Sequence, residues 1–368
     1  MRILVVGAGI AGLSLTASLR SAGIDVICVE KESTSTNAGF AIGVWENGVR
    51  VLRDLGISPK GLAVERYLLL TERGERIRSY EFSRFPKSPA MLHMLREDLH
   101  ESLSDKAGAV RFGSTVNLLH ETPDGVSVTF TDGHVEMFDA VIGADGTRSR
   151  IRDLAFPGND PRPLGWRGWY FWFDTTLFPI DAGAVEAWRP GMFFGAFPHG
   201  GDRICGYLGM PFSGEDTLEA RRKVLDSAIM MAGGGVRKVL CSLDPKELSG
   251  HAVVELTMPT TISGRVLLIG DAAHAMEPFA GLGASMALED AAVLSQELRS
   301  GNDVPSCLAN FERRRRSRVA LALRQTRRFS RIIRMRSLMM GGLVRGALRA
   351  IPPDWFTKDY RTLLQERP

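Results

Sequence analysis

Residues 3–30 read ILVVGAGIAGLSLTASLRSAGIDVICVE. An apolar run enters Gly7-x-Gly9-x-x-Gly12, a stretch of small residues with helical character follows, and a second apolar run ends on Glu30. That order describes a βαβ unit that holds a dinucleotide. Gly7 permits the tight turn, Gly9 lets backbone amides approach a pyrophosphate, and Gly12 lets the helix pack against the strand. The helix N-terminus then offers its unpaired N–H groups and the positive end of its dipole to the phosphates. Glu30 stands where a carboxylate accepts both hydrogens of a ribose diol. The candidate contacts from this unit are Gly7, Ala8, Gly9, Ile10, Ala11, Gly12, Glu30 and Lys31. The competing reading is a glycine-rich loop inside an ordinary α/β core.

The chain of 368 residues is long enough for one large or two ordinary domains, and 44% apolar content supplies a substantial core. Cys28, Cys205, Cys241 and Cys307 are scattered, with no CxxC pair and no metal-ligand spacing, so no metal site is expected. They read as thiols of a reduced compartment. No signal peptide is expected before the first strand, and no apolar run approaches a membrane span. The expected location is the cytoplasm. The net charge of +4 hides an asymmetry: residues 311–349 hold thirteen arginines, no lysine and one acid, Glu312. No nucleic-acid motif accompanies them.

Beyond Glu30 come a polar loop, Ser33 to Asn37, and a glycine-bearing segment, Gly39 to Val44. Asn47 to Leu55 has a helical pattern. Residues 64–82 alternate like paired strands around Arg73-Gly74. Leu95, Leu99 and Leu103 at spacing four predict a helix from Leu92 to Leu103. Residues 109–138 read as a strand and hairpin. Aromatic and glycine-rich runs at 166–174, 184–188, 192–198 and 203–210 predict an antiparallel sheet, followed by a polar helix near 215–232. Two further apolar strands end in acids, Ala140 to Asp145-Gly146 and Arg265 to Gly270-Asp271. The second leads through a glycine turn into a helix, Ser285 to Leu298. In a parallel sheet such ends share one edge, where ligands bind. An acid there can also simply cap the next helix.

Asp139-Ala-Val-Ile-Gly-Ala-Asp-Gly-Thr-Arg-Ser-Arg-Ile-Arg152 and the stretch Gly264 to Asp290, with its GDAAHAMEPFAGLGAS core, resemble two fingerprints of the FAD-dependent aromatic hydroxylases. With the N-terminal unit, all three motifs of this para-hydroxybenzoate hydroxylase-like family of monooxygenases stand in order. The resemblance implies an α/β fold: a Rossmann-type FAD-binding domain (1–80, 90–160 and 260–300) interleaved with an antiparallel-sheet substrate domain (64–90 and 161–259), plus a C-terminal helical region (301–368). It implies that the glycines of the first unit hold the FAD pyrophosphate and Glu30 the adenosine ribose. Arg96 would contact FAD near its phosphates and flavin, Asp145-Gly146 would serve FAD and NAD(P)H, and Asp271 the ribityl or pyrophosphate. Gly281, Gly283, Ala284 and Ser285 would face the flavin N1–C2=O edge, Pro278 would shape the flavin face, and Gly43 and Val44 would lie beside the ring. Ala41 replaces a usual glycine there, and Phe40 is bulkier than usual. His274 belongs to the GDAAH turn and is expected to be structural.

The same resemblance implies an NAD(P)H- and O2-dependent monooxygenase that hydroxylates an aromatic or other electron-rich small molecule through an FAD C4a-hydroperoxide. No second dinucleotide fingerprint is visible, so NAD(P)H is expected as a transient co-substrate. Candidates for the substrate pocket are Trp169, Phe171, Phe194, His199 and Tyr207. By alternation Trp169, Phe171 and Phe173 share one sheet face and Trp166 the other. No acid–base catalytic residue stands out. Two alternatives remain: a flavin-dependent halogenase, whose Trp-x-Trp-x-Ile-Pro segment is not matched by Trp169 to Asp174, or other FAD oxidoreductase, and, from another class, a redox-inactive flavin-binding interaction protein. The arginine-rich C-terminus reads as a surface helix with Val319, Leu323, Ile332 and Ile333 packed inward and arginines in water. A sharper reading makes it a dock for an acidic carrier protein or an anionic membrane.

Overall fold

A computed structural model describes residues 1–34, 39–82, 91–178, 180, 183–335, 337–350 and 362–364. Part of the polar loop, residues 35–37, the 83–90 end of the expected substrate-domain segment, and most of 351–368 lie outside them.

Strand Arg2–Val6 is the centre of a six-stranded sheet. It pairs in parallel with Asp25–Glu30 on one side and Ala140–Gly143 on the other. Ala140–Gly143 in turn pairs in parallel with Val266–Leu268. Covered on both faces, these strands are nearly continuous runs of Val, Ile and Leu, as parallel strands must be. Helices Ile10–Ser21 and Gly283–Leu298 lie together in the principal apolar cluster. The three acid-ended strands therefore deliver Glu30, Asp145 and Asp271 to one edge of one sheet, although they are far apart in the chain.

A seven-stranded sheet forms the second layer. Its order is Ser249–Glu255, Arg162–Asp174, Arg203–Pro211, Met192–Pro198, Gly183–Arg189, Arg66–Thr71 and Arg76–Glu81. All pairs are antiparallel except Gly183–Arg189 with Arg66–Thr71, which run parallel. The sheet expected to be wholly antiparallel is thus mixed, because its last two strands come from an earlier part of the chain. Helices Leu218–Met231 and Gly234–Cys241 cover its outer face. The second of these was not legible in the glycine-rich sequence around 233–235.

The helix expected from Leu92 begins only at Arg96. Met91–Leu95 is a strand, paired with Ala41–Trp45 and Leu62–Ala63. Inter-strand hydrogen bonds override the local helical period there. The segment expected as a glycine loop, 39–44, likewise runs into the strand Ala41–Trp45. A 30-residue helix, Val304–Ile333, and a shorter one, Leu338–Ala350, close the described fold. No helix among the described residues is long and apolar enough to cross a membrane.

Candidate active site

The first glycine turn is built as the sequence requires. Gly7 has φ +105°, and a Cβ there would lie 2.6 Å from the Ala144 carbonyl oxygen. A Cβ on Gly12 would lie 1.9 Å from the Gly7 oxygen. Gly9 opens onto empty space, with nothing within 4 Å of a Cβ. The first intrahelical bond runs from Leu13 N–H to the Gly9 carbonyl at 2.9 Å, so the amides of Ile10, Ala11 and Gly12 precede it. The Glu30 carboxylate accepts from Ala8 N–H at 2.8 Å and Glu32 N–H at 3.1 Å. It fixes the shape of the turn as well as standing at its edge. Lys31 is exposed at the surface.

A cavity of about 510 Å³ opens from this turn between the two sheets. At one end it is lined by Gly9, Ile10, Ala11, Arg96, Gly146 and Asp271, and then by Gly43, Pro278, Gly281, Gly283 and Ala284. The last of these begin the helix Gly283–Leu298, whose first intrahelical bond is Met286 N–H to Leu282 at 3.0 Å. A helix N-terminus therefore faces the cavity, a setting that favours negative charge. Asp271 is open to the cavity yet deep in the molecule, and loss of solvation pushes its carboxyl above the ordinary range. The Arg96 charge and His274 oppose that shift.

Gly7, Ala8, Gly12, Glu30 and Lys31 belong to or flank the first turn without lining the cavity, and three further expected contacts are placed elsewhere. The Asp145 carboxylate caps the following helix, accepting from Ser149 Oγ at 2.5 Å and Ile151 N–H at 3.1 Å, and only its neighbours Ala144 and Gly146 reach the cavity. Ser285 is buried, and its hydroxyl accepts from Trp45 N–H at 2.9 Å. Val44 is buried in the main core. Phe40, bulkier than the usual family residue, and Trp45 are used as struts. Phe40 stacks on Tyr170 with ring centres 4.5 Å apart, and Trp45 Nε1 donates to the Ala280 carbonyl at 3.3 Å.

The cavity's other end is a different chemical environment, walled by Tyr67, Tyr80, Trp188, Phe193, Tyr207 and Phe279. Glycines, the leading amides of a helix and an acid thus lie at one end, and an aromatic chamber lies at the other. That is the shape of a bound dinucleotide whose ring reaches a second compartment. The comparisons decide the cofactor. The FAD binding domain family matches residues 1–176 and 235–326. The chain belongs to the FAD-dependent monooxygenases of the para-hydroxybenzoate hydroxylase-like family. It is similar to the FAD-dependent urate hydroxylase of Klebsiella pneumoniae, 30% identical over 342 residues that cover 87% of each chain. It is similar to the aurachin C monooxygenase/isomerase of Stigmatella aurantiaca, 29% identical over 326 residues, 85% of this chain and 84% of that one. Its fold matches the crystal structure of Klebsiella pneumoniae HpxO complexed with FAD and uric acid with a TM-score of 0.91 and 26% identity, covering 100% of this chain and 97% of that chain.

In this flavoenzyme, the aromatics expected in the substrate pocket are largely on the wrong face. Trp169, Phe171 and Phe194 belong to the buried cluster beneath the outer helices, and none lines the cavity. His199 packs edge-on to Trp172 at 5.1 Å, also away from it. Of the five candidates only Tyr207 reaches the cavity wall. The alternation was read correctly, since Trp169, Phe171 and Phe173 do share a face. That face meets helices instead of the cavity. Tyr67, Tyr80, Glu186 and Trp188 were missed. The available signal was an acid, Glu186, in the otherwise apolar run Gly183–Trp188.

Trp169→Ala is expected to separate the two faces. Trp169 is fully buried, and its Nε1 donates to Asp216 at 3.1 Å. Its removal should cost about 3–5 kcal/mol of stability in urea unfolding. The FAD-to-protein ratio of the folded variant should equal that of the parent; a marked drop would return Trp169 to the cofactor environment.

The C-terminal arginines are not all in water. Arg315 and Arg318 are buried. Arg315 donates to Glu289 at 2.6 Å and Asp290 at 2.8 Å, and Arg318 donates to Glu289 at 2.5 Å. Asp290 also accepts from His274 Nε2 at 2.6 Å and Gly270 N–H at 2.8 Å. This places His274 in a structural network, as expected, and ties the residue before Asp271 to the C-terminal helix.

Proposed function

We propose that this monooxygenase uses NAD(P)H and dioxygen to hydroxylate an aromatic or other electron-rich small molecule, and that it works in a reducing compartment such as the cytoplasm. The observation that carries the reading is the two-ended cavity, with the flavin cradle open to a chamber of aromatic side chains. The location is supported by four free cysteines, three of them buried.

FAD, when bound, supplies hydride acceptance and the activation of dioxygen. The chain's own part is physical. The amides of Ile10, Ala11 and Gly12 offer donors to the pyrophosphate. The start of the helix Gly283–Leu298 favours negative charge on the reduced ring. Tyr207, Phe193, Trp188 and Phe279 exclude water and hold a flat substrate against the open face. No metal-binding group of His, Cys, Asp or Glu occurs among the described residues.

Two measurements test this. The purified yellow protein should consume NAD(P)H faster when its substrate is added, and labelled dioxygen should place one oxygen atom in the product. A flavin-loaded protein that does neither across a broad aromatic panel is not a hydroxylase of this class. Glu30→Ala and Asp271→Ala should each weaken FAD binding about tenfold or more, as expected for losing a hydrogen bond to a charged group. Full FAD retention in both variants would overturn these two assignments.

A further inference from the structure

Besides four tyrosines, five ionisable side chains line the described cavity: His93, Arg96, Glu186, Asp271 and Glu277. Their placement is uneven. Arg96, the cation of the set, lies within electrostatic reach of Asp271 at the cradle end. His93 is buried, and loss of solvation pushes it down to about 4, so it is neutral. Glu277 is spoken for by Arg334, 3.2 Å away at the end of the long helix. Glu186 remains. It projects from the strand Gly183–Arg189 among Tyr67, Leu69, Tyr80 and Trp188, and the Tyr67 hydroxyl donates to its Oε1.

We propose that Glu186, held by Tyr67, is the substrate-recognition carboxylate, and that it selects neutral or weakly basic ring systems bearing an N–H or O–H donor against aromatic carboxylates. This rests on the hydroxylase reading, because it takes the aromatic chamber as the substrate compartment. The physics is direct. A substrate carboxylate entering this chamber would meet a second acid with no cation lining the wall there to offset it, among the described residues; Arg78, two strands from Glu186, donates to the Leu348 carbonyl and does not line the cavity. A ring N–H would instead find an acceptor whose other oxygen is already anchored, and the rings around it would bury the rest of the molecule. An uncompensated charge in such surroundings is costly, whereas a charge-assisted hydrogen bond is strengthened.

The groups facing Glu186 are few. Tyr67 comes from the adjacent strand, and Tyr80 and Arg78 from the strand beyond it. Arg78 lies over the Tyr80 ring at 5.8 Å and donates to the Leu348 carbonyl. The strand Met192–Pro198 on the other side brings Gly195 opposite Glu186 and no ionisable group. The next strand contributes Tyr207, and the C-terminal helices contribute Phe329, Ile332, Ile333 and Leu348 to the wall. Burial raises the Glu186 carboxyl to about 7, against the opposing hydrogen bond from Tyr67. Tyr80 is pushed up to about 12 and stays protonated. Donor binding should therefore tighten as pH rises through about 7, where Glu186 ionises.

The test is flavin-absorbance titration of the FAD-loaded protein with three matched bicyclic probes: quinolin-4(1H)-one, its N-methyl derivative, and quinoline-4-carboxylate. The N–H probe should bind at least tenfold more tightly than either of the others, and more tightly at pH 8.5 than at pH 5.5. Glu186→Gln should abolish that pH dependence and weaken the N–H probe about tenfold. Tyr67→Phe, which leaves the carboxylate, should retain the preference for the donor. Equal binding of the N–H and N-methyl probes, binding of the carboxylate as tightly as the donor, an unchanged pH profile in Glu186→Gln, or no binding of the N–H probe each overturns the assignment. If the wild-type probe pattern holds but no compound of a broad aromatic panel stimulates NAD(P)H oxidation, the hydroxylase reading is what fails, because these titrations do not depend on turnover.

Discussion

Arg315→Met is expected to unfold this protein more readily than any other single change in the long C-terminal helix. The guanidinium is 2% exposed and bridges Glu289 and Asp290, which are 0% and 1% exposed. Removing it leaves two buried acids short of a partner, and breaking a buried pair from one side costs about 3–5 kcal/mol. Arg318 still serves Glu289, at 2.5 Å and 3.1 Å, so the heavier loss falls on Asp290. Burial alone would raise the Asp290 carboxyl, but His274 and Arg315 hold it down, from 3.8 to about 2. Its folded pKa is depressed, so its stabilisation is present above about 4 and is lost as pH falls through about 2. In the variant the carboxyl loses one of its two cations, and acid unfolding should begin at higher pH. Urea midpoints measured from pH 7 down to pH 3 check both statements. A variant within about 0.5 kcal/mol of the parent at pH 7 would show that the network contributes little. Because Asp290 also accepts from Gly270 N–H, surviving folded variant should bind FAD less tightly.

Gly12→Ala is expected to damage the cofactor site while leaving the distant sheet intact. The added methyl would sit 1.9 Å from the Gly7 carbonyl oxygen and 3.3 Å from the Ala144 Cβ. The first neighbour is backbone within the turn itself, so relief requires moving the turn or the helix. Overpacking of this kind costs about 1–3 kcal/mol. If that strain is relieved by displacing the turn, FAD affinity falls roughly 5- to 150-fold. Gly9→Ala is the matched control for crowding within the protein, since a Cβ there meets nothing within 4 Å. It probes the ligand's own space instead. Equilibrium dialysis against FAD distinguishes the cases: unchanged affinity in Gly12→Ala would mean that the close approach of helix and turn is not what shapes the cradle.

These two sites differ in how visible they are in the sequence. The Gly12 contact is local, because it lies five positions after Gly7 and a known turn geometry links them. The Arg315 network is not. Its members stand at 270, 274, 289, 290, 315 and 318, and an arginine run looks the same whether one face is wet or locked onto buried acids. The strand at Met91–Leu95 was hidden for a related reason. Its leucine spacing continues into a true helix, and only the pairing with Ala41–Trp45 shows where strand ends and helix begins.

By itself the sequence determined the FAD cradle. Apolar strands that end in Glu30, Asp145 and Asp271 need a parallel sheet buried on both faces, and such a sheet brings its strand ends to one edge. Gly7 and Gly12 occupy positions where a side chain would collide with backbone, and Gly9 leaves open space. The tertiary structure alone decided which sheet face opens on the cavity beside that cradle. Strand alternation divides Trp169, Phe171 and Phe194 from Tyr207, Trp188 and Glu186 but carries no mark of which set meets helices and which lines the cavity. That choice depends on the layer packed against each face. The Tyr67–Glu186 contact spans 119 residues and joins strands of two separate chain segments. Period-two patterning is a local property, whereas facing is a property of the whole packed molecule.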